Sequence, residues 1–246
     1  MVYPFRPGPE VGGPAGESYA VALVRSADAA GVTGLLRRLR FTGWIAPVQD
    51  GWLPVVAVPG DGAVASGRRG IVGVGEALAG GLGASVLVAR VLADRQLALV
   101  AWADGEEAGR YVSDPAREPG AEEDVLDDPL GLEDVASIAA VAGHPERGGE
   151  LTEVLREPLD PDSVIESERL SRVLRLLGLP TWLVAVAALP RDIPTGPGAR
   201  ELARLGVGRS GPAAVILPRM IRRRRRPPPV FADPPQGSSG MDLWLM

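Results

Sequence analysis

Three short turns within the first 115 residues constrain the fold of this chain more than any other feature. Asp50-Gly51 and Asp104-Gly105 are two-residue turns of the kind that antiparallel hairpins prefer, and Asp94-Arg95 marks a third turn. Strands joined by such short turns run antiparallel, because a parallel connection needs a dozen or more residues. A purely parallel sheet is therefore excluded.

Two segments of helical periodicity alternate with these strands. A β-type run over residues 19–25 is mostly apolar on both faces, which predicts a central strand. The first helix follows that run, and Ser26 or Asp28 can cap its start. One face of the first helix is apolar, at Val32, Leu35, Leu36 and Leu39. A second, glycine-rich helix has the apolar face Ile71, Val74 or Gly75, Leu78 and Leu82.

The first half thus has the order β-α-β-β-α-β-β-β. This order predicts the α+β class, with helices on one face of a mostly antiparallel sheet. Its first six elements have the order of a split β-α-β, ferredoxin-like unit. A two-residue loop at Asp50-Gly51 would set Pro47 opposite Pro54, and neither has an N–H to donate. We therefore expect a bulge, a wider loop or a distorted edge pair in this hairpin.

The second half is predicted to be mainly helical. Its clearest helix lies within residues 163–180. Ser163 and Glu166 form a capping box at its start, and Gly178 marks its end. Its buried stripe consists of Ile165, Leu170, Val173, Leu174 and Leu177. Its charged side chains can pair across the solvent-exposed face: Glu166, Glu168, Arg169, Arg172 and Arg175.

Three further segments close the second half. Residues 181–189 fit either a buried strand or a short buried helix, because periodicity does not distinguish the two. Residues 198–205 predict a short helix. Residues 213–218 could be a last strand that joins the sheet, in which case the two halves would form one domain.

Composition and charge divide the chain into five regions. Residues 1–17 form a Pro/Gly-rich leader and residues 18–115 the α+β domain. Residues 116–131 are an acidic linker, followed by a mainly helical region over 132–218 that could pack on the same sheet. Residues 219–246 are an Arg/Pro-rich flexible tail, so both termini are predicted to be disordered.

Three missing residue types exclude several chemistries. The chain contains no Cys, Lys or Asn. It therefore has no disulfide, no thiolate nucleophile, no Schiff-base or P-loop lysine and no N-glycosylation acceptor. A strong Arg, Ala and Gly bias without Lys is typical of a high-GC bacterial genome. With no secretory signal and no apolar run of membrane-spanning length, we expect a cytoplasmic protein.

The candidate chemical motifs are isolated. His144 precedes Pro145 at a helix end, where an imidazole is simply favourable with the helix dipole. Gly73 and Gly75 begin a dinucleotide fingerprint whose third position is Leu78 instead of glycine, so close helix–sheet packing explains them better. We therefore assign no catalytic, cofactor-binding or metal-binding residue.

Carboxylates and tryptophans each have a second interpretation. Asp124, Asp127 and Asp128 could hold Mg²⁺ through a phosphate substrate, but a solvated linker explains them better, because a linker holds octahedral geometry poorly. Three tryptophans lie on predicted strands, where core packing or a binding platform would fit: Trp44, Trp52 and Trp102.

The C-terminal tail carries the clearest contact signal. It contains five consecutive arginines, then a proline-rich stretch typical of polyproline II, then an apolar end. The residues expected to bind a partner are Arg222, Arg223, Arg224, Arg225, Arg226, Leu243, Trp244 and Leu245.

The leading functional hypothesis is a non-enzymatic adaptor that contacts a protein partner through this tail. A second hypothesis is a binder of an anionic polymer, either nucleic acid or an anionic membrane surface, through the pentaarginine. A third is a carboxylate-based enzyme of unknown substrate. The sequence does not determine the partner or the oligomeric state.

Overall fold

The computed structural model describes four parts of the chain. These are residues 18–115 except 27, 59 and 61, residues 128–158, residues 166–189, and residues 193–206 except 194 and 199. The predicted leader, linker residues 116–127, Ser163 of the predicted capping box, the possible last strand at 213–218 and the whole tail lie outside the described residues.

One antiparallel sheet organises these residues. Its strands are β1 (Tyr19–Arg25), β2 (Gly43–Ile45), β3 (Trp52–Ala57), β4 (Val86–Leu92), β5 (Gln96–Ala103), β6 (Glu106–Val112) and β7 (Ala203–Leu205). Their order across the sheet is β6-β5-β4-β1-β3-β2-β7. The predicted α+β class and the strand order along the first half are confirmed. The arrangement β4-β1-β3-β2 is that of a split β-α-β unit.

Helices cover both faces of this sheet. They are α1 (Ala29–Arg38), α2 (Ile71–Leu82), α3 (Val135–Ala142), α4 (Gly148–Arg156), α5 (Glu166–Leu176) and a 3-10 helix at Thr181–Ala188. We call α1 and α2 the first helical layer, and α3 to α5 with the 3-10 helix the second helical layer. The first half was expected to place its helices on one face, and both of them lie there. The second helical layer covers the opposite face.

The central strand β1 shows how one segment serves two cores. Ala20, Ala22 and Val24 belong to the core under the first helical layer. Tyr19, Val21 and Leu23 belong to the core under the second. Successive side chains of a strand point to opposite faces, so a run that is apolar at every position becomes buried on both sides.

The hairpin between β2 and β3 contains the predicted irregularity. Gln49 and Trp52 exchange two backbone hydrogen bonds of 2.8 and 2.9 Å around the Asp50-Gly51 turn. In the strands, however, the pairing is shifted by one residue, so that the Ala46 N–H donates to the Pro54 carbonyl at 2.9 Å. The shift avoids a Pro47–Pro54 pair, which would lack a backbone donor on either side.

Glycine allows α2 to lie close to the sheet. A Cβ at Gly75 would lie 2.6 Å from Val88 Cγ2 and 2.9 Å from the Trp102 ring. Real Cβ atoms do not approach that closely, so the distance between helix and sheet depends on this position. The interpretation of Gly75 as a packing residue is consistent with this geometry.

The structure resolves one open prediction for the second half and corrects another. Residues 181–188 form a 3-10 helix, which settles the choice between strand and short helix. The predicted helix over 198–205 is wrong: after a turn in which the Glu201 carboxylate accepts from the Gly198 N–H at 2.7 Å, the chain forms β7. Pairing with β2 satisfies backbone groups of residues 203–205, so a tertiary contact overrides the local helical propensity.

A short segment covers part of the β6 edge of the sheet. Leu130 exchanges two 3.0 Å backbone hydrogen bonds with Val112. Gly131 follows with φ of 80°, and its backbone passes against the Arg110 carbonyl so closely that a Cβ would collide with it.

Candidate functional site

A buried polar cluster joins the start of α5 to the sheet. The Glu166 cluster consists of Asp94, Tyr111, Ser113, Glu166, Ser167 and Arg169. The Glu166 N–H donates to the Asp94 carbonyl at 3.1 Å. The Ser167 N–H and hydroxyl both donate to Asp94 Oδ1, at 2.7 and 2.6 Å. Asp94 therefore caps α5 from the β4–β5 turn, and its negative charge is favourable at a helix N-terminus.

Glu166 is the most unusual ionisable group in the cluster. Its side chain is fully buried, and no described residue forms an ordinary hydrogen bond with either carboxylate oxygen. Arg169 Nε lies 3.6 Å from Glu166 Oε2. Burial raises the pKa of the Glu166 carboxyl, and the charges of Asp94 and Asp114 add to that effect. The nearby Ser113 hydroxyl and the Arg169 charge oppose it without cancelling it.

Tyr111 connects the cluster to α4. Its hydroxyl donates to the Leu155 carbonyl at 2.8 Å and accepts from Arg169 Nη1 at 3.3 Å. Burial raises the pKa of Tyr111 to about 12, an effect that Arg169 partly offsets. The phenol thus stays protonated at any physiological pH, so it can keep donating to Leu155.

The contacts of the cluster are structural ones. Arg169 Nη2 also donates to the Glu157 carbonyl at 2.9 Å, so a single guanidinium contacts α5, β6 and the end of α4. Because Glu166 is fully buried, a substrate cannot reach its carboxylate in this conformation. The geometry supports a role in holding the second helical layer on the sheet.

The sequence placed Glu166 and Arg169 on the exposed face of their helix, and the structure buries both. A signal for Glu166 was present, because position 166 lies four residues before Leu170 and seven before Val173. It therefore continues the apolar stripe of α5. Its charge, rather than its spacing, led to the surface assignment.

A second candidate site is an exposed arginine surface beside the first helical layer. The arginine surface consists of Arg37, Arg38, Arg40, Arg68 and Arg69, all of which are exposed. The Ser66 N–H donates to the Leu39 carbonyl at 2.8 Å, and the Thr42 N–H donates to the Val64 carbonyl at 2.8 Å. These hydrogen bonds bring the two arginine-bearing segments together at the end of α1.

A shallow apolar groove lies elsewhere, beside the first residues of β1. It encloses about 200 Å³ between the start of β1, the end of β3 and the end of the 3-10 helix. Tyr19, Val58 and Val186 are among its lining residues. It contains no charged side chain among the lining residues described.

His144 lies at the predicted helix end. Its backbone N–H donates to the Ala139 carbonyl at 2.9 Å, next to the left-handed cap Gly143. Its Nδ1 lies 3.1 Å from Glu146 Oε1. The pKa of the Glu146 carboxyl is lowered, mainly by a hydrogen bond from its own backbone N–H and secondly by the hydrogen bond with His144. This environment is that of a surface histidine in a helix–helix connection.

The tryptophans occupy both of the predicted environments. Trp52 and Trp102 are buried, one in each core. Trp44 is half-buried on β2, and the Arg204 guanidinium lies over its ring at 5.3 Å. Core packing therefore explains two of the three, while Trp44 remains partly accessible at the β2–β7 edge.

The remaining predicted residues are dispersed or outside the described chain. Asp128 is exposed, while Asp124 and Asp127 lie outside the described residues. All eight tail residues predicted to bind a partner also lie outside them, namely Arg222, Arg223, Arg224, Arg225, Arg226, Leu243, Trp244 and Leu245.

The described residues contain no candidate metal site and no helix long enough to span a membrane. No described group of three or more His, Asp or Glu side chains is placed to bind a metal ion. The longest described helix, α2 with 12 residues, falls short of the length needed to cross a bilayer. A scan of protein-family models found no match, and searches of curated proteins and of solved structures found no significant similarity.

Proposed function

We propose that this chain is a soluble, cytoplasmic adaptor that binds a protein partner through its C-terminal tail. In this proposal Arg222–Arg226 contact acidic groups of the partner, and Leu243, Trp244 and Leu245 insert as an apolar anchor. The observation that carries the proposal is a separation of charge. Six arginines and two aspartates give residues 219–246 a net charge of +4, so that with −5 for the whole chain the remainder carries −9.

The division between body and tail supports the proposal. Residues 1–207 form one compact unit, and the described residues of both cores lie within it. The proposal assigns partner binding to the separate stretch that carries the arginines and the apolar end. Aromatic and arginine side chains are also the residues that most often dominate binding energy at protein interfaces.

A pull-down from the native lysate tests the proposal with the full-length chain as bait. Three variants are compared with it: a truncation to residues 1–218, replacement of Arg222–Arg226 by Ser, and replacement of Leu243, Trp244 and Leu245 by Ala. We expect specific partners with the full-length bait, none with the truncation, and reduced recovery with each substituted tail. Recovery of the same partners by full length and truncation would refute tail-mediated binding.

The salt dependence of binding separates a protein partner from an anionic polymer. Five phosphate contacts would give a log–log slope of roughly −3.5 to −4.5 between affinity and salt concentration. A protein interface anchored by an apolar end should depend less steeply on salt. A slope in the steep range with single-stranded DNA, at affinity above that for the protein partner, would overturn the adaptor proposal.

A further inference from the structure

The arginine surface is a candidate contact site formed by residues of the described chain outside the tail. Its five guanidiniums lie on two segments that are fixed to each other. The Ser66–Arg68 turn donates to the end of α1 through Ser66, and the Val64 and Ala65 N–H groups both donate to the Arg69 carbonyl. The backbone positions of the arginines are thus held, and all five side chains are exposed, although Arg69 Nη1 donates to the Ser66 carbonyl at 3.1 Å.

These arginines form no ion pair with a described carboxylate, which distinguishes them from several exposed arginines elsewhere in the described chain. On the other side of the sheet, Arg147 and Arg156 pair with Glu150 and Glu153, and Arg172 pairs with Glu157. Within the described residues, no carboxylate lies within ion-pair distance of any member of the arginine surface. Five exposed positive charges are thus concentrated on an otherwise acidic protein.

Helix electrostatics explain only part of this cluster. Arg37 and Arg38 lie in the last turn of α1, where a positive charge is favourable with the helix dipole. Arg68 and Arg69 immediately precede the N-terminus of α2, where the dipole disfavours positive charge. Arg40 and Arg68 also have positive φ values of 53° and 57°, an uncommon conformation for a side chain of this size. The local fold therefore concentrates positive charge where the dipole of α2 does not favour it.

We propose that the arginine surface docks an acidic segment, a run of Asp and Glu residues, of a protein partner. Guanidinium groups pair with carboxylates through two parallel hydrogen bonds, which matches several arginines to several acidic side chains. A long nucleic acid fits less well, because it would also approach the acidic remainder of the body and be repelled by it. None of the five positions is aromatic, so these residues offer no aromatic ring on which bases could stack.

A synthetic acidic peptide tests the surface directly. The probe is a fluorescein-labelled peptide of ten glutamates, and its binding is followed by fluorescence anisotropy. The protein is the full chain with Arg222–Arg226 replaced by Ser, so that the tail arginines do not contribute. In this background we expect Arg68→Gln/Arg69→Gln, and separately Arg37→Gln/Arg38→Gln/Arg40→Gln, to weaken binding at least tenfold.

A matched control removes the same charge elsewhere. Arg147→Gln/Arg156→Gln also takes away two exposed arginines, but these are already paired with glutamates, so we expect less than a twofold change. Arg68→Lys/Arg69→Lys keeps the charge and should retain most of the binding. Circular dichroism of each variant establishes that the fold is intact.

Three results would overturn the proposal. One is an equal loss of binding in the control, which would reduce the effect to net charge. The second is the absence of measurable binding in the starting protein. The third is tighter binding of a 20-nucleotide single strand than of the peptide. None of these results bears on tail-mediated binding, because Arg222–Arg226 are replaced in every protein of the series.

Discussion

The two helical layers use their charged residues in opposite ways. In the second layer, Glu166 and Arg169 are buried, and exposed arginines such as Arg172 pair with glutamates of the same layer. Beside the first layer, the five arginines of the arginine surface are exposed and pair with no described carboxylate. Charges that are engaged within a fold contribute to its architecture, whereas unengaged charges of one sign remain available to a partner.

The layers also differ in how they attach to the sheet. The first layer packs on the sheet through the close approach of α2 to β4 and β5 at Gly75. The second is held by hydrogen bonds of Tyr111, Asp94 and Arg169 that reach from strand and turn to helix. The first attachment depends on shape and the second on satisfied polar groups, so substitutions should affect them differently.

Removing Arg169 should have the largest effect. Arg169→Met leaves the Glu166 carboxyl buried without its cation. The Tyr111 hydroxyl and the Glu157 carbonyl also lose the hydrogen bonds that Arg169 donates to them. Loss of one partner of a buried pair typically destabilises by about 3 kcal/mol. Urea unfolding monitored by circular dichroism measures the change.

The double variant Glu166→Gln/Arg169→Met is the control for that result. It should recover part of the lost stability, because the neutral amide no longer needs a cation. Strictly additive effects of the two substitutions would show that Glu166 and Arg169 are not coupled.

Gly75→Ala tests the first layer. Its Cβ must displace Val88 or Trp102, and overpacking of this kind costs about 1–3 kcal/mol, reduced by the better helix propensity of Ala. Gly80→Ala in the same helix is the matched control, since nothing lies near its Cβ, and should stabilise by about 0.5–1 kcal/mol. Equal thermal unfolding temperatures for the two variants would contradict the close approach at Gly75.

Tyr111→Phe tests the polar attachment with almost no change in shape. The substitution leaves the Leu155 carbonyl and one Arg169 donor unsatisfied, which should destabilise by about 1–2 kcal/mol. The measurement is again urea unfolding. Unchanged stability would indicate that both groups find other partners, and that the cluster does not hold α4.

The pH dependence of stability tests the state of Glu166. Because burial raises the pKa of Glu166 in the folded protein, the unfolded chain loses this proton first as pH rises, and wild-type stability then falls. Glu166→Gln removes this effect. The free energy of unfolding of Glu166→Gln minus that of the wild type should therefore be smallest near pH 4 and grow towards pH 8. A difference that shrinks over this range would mean that Arg169 outweighs burial.

Surface ion pairs should give the smallest effect. Arg172 donates to both Glu157 oxygens at 2.5 and 2.6 Å, yet both side chains are nearly half exposed. Arg172→Ala should cost at most about 1 kcal/mol, less at high salt. Arg37→Ala, which breaks no described ion pair, should change stability less still. A larger loss for Arg37 than for Arg172 would contradict the contrast between the two layers.

Local features of the fold were predictable because each depends on neighbouring residues. The bounds of β1 follow from an uninterrupted apolar run, and the hairpins follow from Asp-Gly turns. The irregularity near Pro47 follows from the missing donors of two prolines. In each case the determining residues lie within a few positions of the feature.

Features set by distant contacts were not predictable in this way. The stripe of α5 specifies a buried face but not the core that receives it, so the second layer's position was left open. Residues 203–205 form a strand because β2 offers an edge some 160 positions earlier in the chain. The arginine surface likewise depends on the approach of Ser66 to Leu39, which no local pattern encodes.

The short pairing of Leu130 with Val112 also bears on self-association. An exposed strand edge is a template on which another chain can add a strand, the first step towards edge-to-edge aggregation. At β6, Leu130 occupies backbone groups of the last residue, and Gly131 turns the chain closely past Arg110. At the opposite end, β7 offers only three residues. Within the described residues, one edge of the sheet is thus partly occupied and the other is short, and both features make an edge a weaker template for strand addition.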